Sequence, residues 1–123
     1  MHHTLSPEFI EECRQELVEL KTHLLNRLSY LRNELGNIER QCSEEGDLST
    51  TQVAEHQIYV NHRRLRYLLN EVEEALKRIE EGTFGYCEET GEVIEKERLK
   101  LMPYTRLSVE GAEIRDTRRQ FIG

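Results

Sequence analysis

A chain of 123 residues, 33% charged and 37% hydrophobic, with no Trp, has the length of one small domain but too little apolar material for a thick globular core. Its 17 basic residues stand against 24 acidic ones, a net charge of −7, which excludes general attraction to nucleic acid phosphates or anionic membranes and argues against direct DNA binding. An extended helical shape and a basic or protein partner suit this balance.

The first element starts at Ser6-Pro7, where a hydroxyl can accept an orphan amide proton and the proline occupies the first helical position. Ile10, Cys13, Leu17, Leu20, Leu24, Leu28, Leu31, Leu35, Ile38 and Cys42 then advance by threes and fours, one apolar stripe on a helix otherwise covered by polar residues. A break is expected over 43–51, where Gly46, Asp47, Ser49 and Thr50 carry turn and capping chemistry. The pattern resumes with Ile58, Leu65, Val72 and Ile79 every seven residues and ends at Gly82. Two helices of about 30 residues with a short connection predict an antiparallel coiled-coil hairpin about 45 Å long. Its tip carries Glu44, Glu45 and Asp47; such a rod can deliver carboxylates into a cleft of a larger protein, although an acidic loop tip is more simply a solvated one.

Beyond Gly82, short apolar groups at Val93-Ile94, Leu99, Leu101-Met102 and Leu107-Val109 predict a small β-containing lobe of roughly 25 residues, too small to hold itself without metal or a surface to pack on. The hairpin base is the expected support. Residues 109–121 read as a terminal helix whose Arg115, Arg118 and Arg119 form a solvated face or meet an acidic partner. The fold class is therefore mainly α, with the hairpin in residues 1–82 and the lobe and terminal helix in 83–123.

Phe84-Gly85-Tyr86-Cys87 looks like the opening knuckle of a four-cysteine zinc finger, but Thr90 stands at the second ligand position and Ser108 and Gly111 at the second pair. A structural zinc needs four Cys or His ligands, so the lobe is expected to fold without metal and no cofactor is predicted. Cys13, Cys42 and Cys87 are odd in number and widely spaced, which predicts no disulfide framework and a reducing, cytoplasmic setting. No apolar run of signal-peptide or membrane-span type is expected to direct the chain elsewhere. Cys87 reads either as a small buried hydrophobe or as an oxidant-sensing thiol. The five histidines form no metal-ligand spacing, and no nucleophile, base and orienting group stand together, so an enzyme is disfavoured.

The long hairpin, the run Glu81-Gly82-Thr83-Phe84-Gly85-Tyr86-Cys87, then Arg98-Leu99, Pro103 and Glu113-Ile114-Arg115 together resemble the DksA/TraR family of bacterial RNA polymerase-binding transcription factors. The resemblance covers nearly the whole chain, with Thr90, Ser108 and Gly111 where the family commonly has Cys. It implies a monomeric factor whose coiled coil enters the secondary channel of RNA polymerase and whose tip alters open-complex lifetime, here without zinc and usable under zinc limitation or oxidative stress. Counting back from Cys87 without a gap, Asn61, Arg64 and Leu68 fall on family positions that engage the polymerase, and the family's tip motif falls on Glu44, Asp47 and Ser49. A slipped register would pair Asp47 with Thr50 and leave one carboxylate. Basic residues that hold guanosine tetraphosphate in the family align with Glu71 and Met102, which implies weak or absent synergy with that alarmone. The alternative is a structural adaptor in which the hairpin bundles with itself or another coiled coil.

Overall fold

The computed structural model is mainly helical, with α1 Pro7–Glu45, α2 Leu48–Glu81, α3 Lys96–Leu101 and α4 Val109–Ile122. It describes residues 4–45 and 48–122, apart from the side chains of 45, 48–50, 121 and 122. Ser6 Oγ accepts from the Phe9 amide at 3.1 Å, the cap that fixes the start of α1 ahead of Pro7. At the end of α2, Gly82 takes φ +79°. The amide of Thr83 then reaches the Arg78 carbonyl at 2.9 Å and that of Gly82 the Ile79 carbonyl at 3.3 Å, a Schellman closure that a side chain at Gly82 would strain.

The connection between α1 and α2 is shorter than the expected break over 43–51. Ser43 and Glu44 continue α1, and 49–51 belong to the start of α2. Glutamate is a good helix former and Ser and Thr are tolerated in a first turn, so these residues extend the two helices. Asp47, one of the expected tip carboxylates, lies outside the described residues, as does the side chain of Ser49.

Two compact units divide the chain, one formed by Met1–Glu19 with Glu71–Gly123 and the other by Leu20–Asn70. In the second, α1 and α2 form a helical hairpin in which Leu24, Leu28 and Leu31 of α1 are buried with Ile58 and Leu69 of α2. Leu35, Ile38 and Cys42 of the predicted stripe are only half-buried. A recess of about 180 Å³ remains beside Leu31, Leu35 and Ile58.

In the first unit, Phe9, Cys13 and Leu17 from α1 and Val72 and Ala75 from α2 share a core with Phe84, Ile94 and Leu99 of the lobe. Burying Leu17, Val72, Ile94 and Leu99 stabilises this unit by about 1.5–3 kcal/mol for each side chain. The Lys96 ammonium lies 4.9 Å from the centroid of the Phe9 ring, an added cation–π contact. Burial, with Glu16 and Glu12 nearby, pushes the Cys13 thiol up to about 11, so it stays protonated and behaves as a small apolar group.

The lobe is less β-like than its sequence predicts. Among the described residues it holds one isolated antiparallel bridge, Tyr86 to Val93, and the short α3 lies where alternating apolar pairs had suggested extended chain. The segment 85–94 is only long enough to fold back on itself once. Gly85 and Gly91 at φ +91° and +75° make that reversal possible, and the Ile94 amide closes it on the Gly85 carbonyl at 2.7 Å. No helix of the described residues is long and apolar enough to cross a membrane.

Candidate functional site

Cys87, Thr90, Ser108 and Gly111 come together in the first unit, as the finger-like spacing predicts. The chain turns tightly after Cys87, whose carbonyl accepts from the Gly91 amide at 2.8 Å, and this brings Thr90 back over the thiol. Ser108 is the cap of α4, its Oγ accepting from the Gly111 amide at 3.0 Å. Burial pushes the Cys87 thiol up, but this is outweighed by hydrogen bonds from the Ser108 and Thr90 hydroxyls and from their backbone amides, which together bring it down to about 6. Four donors converging at a helix start are the setting in which a thiolate is stabilised.

Gly111 completes the quartet by having no side chain. A Cβ there would run into Cys87 Sγ and lie 3.3 Å from Ser108 Oγ. The sulfur occupies the space from which a fourth ligand would have to start. One thiol, two hydroxyls and a bare backbone position do not fit a tetrahedral structural zinc, which takes Cys or His at all four corners. Among the described residues no group of three or more His, Cys, Asp or Glu is arranged to hold a metal ion.

Around this quartet runs a chain of ion pairs that sequence spacing does not reveal. Glu71 of α2 is gripped bidentately by Arg106, at 2.7 Å from Nε and 3.3 Å from Nη2, and Arg106 Nη1 reaches Glu88 at 3.0 Å. Arg115 of α4 then pairs with Glu88 at 3.6 Å and Glu89 at 2.9 Å, and Arg118 with Glu89 at 3.1 Å. Arg115 is the main cause holding the Glu89 carboxyl below its usual range, helped by Arg118 and opposed by burial. Glu71 hydrogen bonding likewise raises Arg106 above the ordinary guanidinium range against the cost of burial. The arginines of the terminal helix, expected on a solvated face, thus find two acidic partners within their own lobe; Arg119 remains exposed. Arg78 Nη1 and Nη2 are buried without a hydrogen-bond acceptor, and burial, followed by repulsion from Arg106, lowers its pKa.

The expected polymerase-facing residues lie in the second unit. Asn61 and Arg64 are exposed and Leu68 half-buried on α2, and steps of three and four place them on one face. Glu44 is exposed near the end of α1. Of the two positions aligned with alarmone-binding residues, Glu71 is committed to Arg106 and Met102 is half-buried.

Comparison with known proteins gives the chain's relatives. The family model described as "Prokaryotic dksA/traR C4-type zinc finger" matches residues 82–116. The chain is 31% identical over 114 residues to the RNA polymerase-binding transcription factor DksA of Caulobacter vibrioides, an alignment covering 90% of this chain and 78% of that protein. It is 35% identical over 114 residues to general stress protein 16O of Bacillus subtilis, covering 80% of this chain and 70% of that protein. The structure of transcription factor DksA2 from Pseudomonas aeruginosa superimposes with a TM-score of 0.86 at 30% identity, covering 94% of this chain and 88% of the other.

Proposed function

The chain belongs to the DksA/TraR family of transcription factors, and on that footing we propose that it binds RNA polymerase directly and regulates transcription initiation. The hairpin tip enters the secondary channel, where Glu44, Asp47 and Ser49 act near the active site and change the stability of open promoter complexes. Asn61, Arg64 and Leu68 hold the hairpin in place. The observation that carries this reading is the shared face of Asn61, Arg64 and Leu68 on α2, in a chain 31% identical to a polymerase-binding factor over 90% of its length. A guanidinium exposed on a stiff helix is suited to a partner carboxylate, and its removal weakens binding without disturbing the fold.

The lobe keeps its shape without zinc, supported by the donor set around Cys87 and by the ion pairs that join 71, 88, 89, 106, 115 and 118. Guanosine tetraphosphate gives little or no synergy, because Glu71 presents negative charge, already paired with Arg106, where a phosphate would need a cation. The factor acts as a monomer in the cytoplasm. A pull-down with core RNA polymerase, repeated with Arg64→Ala and Asp47→Asn, tests the assignment. Arg64→Ala should lose affinity, whereas Asp47→Asn should retain it and lose the effect on open-complex lifetime. Identical behaviour of both variants and the parent would count against the reading.

A further inference from the structure

Helix α2 carries a second line of side chains that the hairpin core does not use. Val53, Val60 and Tyr67 are 67%, 38% and 68% exposed. They lie seven residues apart, so they stack within about 20° per step along one line of the helix. Ile58 and Leu69, buried in the second unit, stand on the opposite side. Isolated exposed apolar residues are ordinary; three aligned over four turns form a seam of the kind that receives another helix.

The flanks of this seam are basic. His56, Arg63 and Arg64 border it and are exposed, with Arg66 on the next face. Residues 51–70 hold three arginines and a single carboxylate, Glu55, within a chain of net charge −7. None of these arginines forms an ion pair with a described residue, whereas Arg106, Arg115 and Arg118 in the first unit are all paired. Exposed arginine beside an exposed tyrosine is the composition of a protein-binding hot spot, with the two valines adding apolar area around it. A second copy is the wrong occupant, since pairing the seam with itself sets the arginine-bearing flanks of one chain against the same flanks of the other.

We propose that the line Val53–Val60–Tyr67 with Arg63 is a docking surface for an acidic helical segment of RNA polymerase, adjoining the face that carries Arg64. This rests on the polymerase-binding reading above. The seam supplies apolar area, and the arginines supply orientation and a salt-dependent on-rate.

The test is equilibrium binding of the full chain to core RNA polymerase, comparing the parent with Val53→Gln/Val60→Gln/Tyr67→Gln, with Arg63→Glu and with Arg64→Ala. Circular dichroism and urea midpoints check that the exposed substitutions leave the fold intact. The triple variant and Arg63→Glu should each weaken binding about tenfold or more, and added salt should reduce the parent's affinity more than that of Arg63→Glu. A parent that binds, with a triple variant that binds equally well, overturns this inference and leaves the polymerase reading standing. A parent that does not bind overturns both. A concentration-dependent dimer in sedimentation, or binding to phosphatidylglycerol-containing vesicles, that the triple variant loses would reassign the seam to self-association or to a membrane surface.

Discussion

The ionisation of Cys87 gives a quantitative handle on the finger-like lobe. The thiol is brought from an ordinary value of 9.0 to about 6 in the folded state, and three pH units correspond to about 4 kcal/mol of preference for the thiolate. Because the folded pKa is depressed, the contribution is present in full above the unfolded pKa near 9, declines as pH falls, and is gone below about 6. Midway, at about pH 7.5, roughly 2 kcal/mol remains. The measurement is the urea unfolding free energy of the parent minus that of Cys87→Ala, taken across this pH range. Taking the difference cancels the other titrating groups, and the small cavity left by alanine contributes a constant. The difference should grow with pH from 6 to 9, and thiolate absorbance should titrate with a midpoint near 6 that vanishes in the variant. A difference that is flat with pH, or a midpoint at or above 9, would show that the donors from Thr90 and Ser108 do not govern the sulfur.

Two further outcomes are expected. Arg106→Gln removes the guanidinium that joins Glu71 to Glu88 and should destabilise the first unit by about 1–3 kcal/mol, seen in chemical unfolding, since Glu71 keeps its partly buried charge without a partner; an unchanged midpoint refutes the ion-pair account. Converting Thr90, Ser108 and Gly111 together to Cys should yield a protein that binds one equivalent of zinc by elemental analysis and gains thermal stability from it, whereas Gly111→Cys alone should be less stable than the parent.

The helical frame was readable because its determinants are local. The Ser6-Pro7 start, the Gly82 stop and the apolar stripe each act within a few residues, and burial of Leu17, Leu24, Leu28, Leu31, Ile58 and Val72 follows their period. The connection is shorter than its turn-type residues suggest because Ser and Thr next to a turn also serve as first-turn helix residues. Helix α3, with 6 residues, is too short for periodicity to announce, and its apolar pairs imitated strand. The quartet at 87, 90, 108 and 111 is legible only through the likeness to a four-cysteine finger, since three of its members are not ligand types, and the partners of Arg106 and Arg115 are not legible at all. Those pairs join residues 35 and 26 positions apart, and nothing in a charge pattern says which distant glutamate a given arginine will meet. The seam at 53, 60 and 67 has the same heptad spacing as the core, so period alone does not distinguish the exposed line from the buried one.

Ser108 Oγ, which caps α4 through the Gly111 amide while serving the sulfur of Cys87, bears on the ancestry of this lobe. Cysteine at 108 forfeits the cap, cysteine at 90 withdraws one donor from the sulfur, and cysteine at 111 drives its Cβ into Cys87. Each single step toward four thiolates is a loss, and only the complete set is rewarded by an ion. For this chain the route from one thiol to four therefore runs uphill at every intermediate, so the three positions are expected to change together or not at all.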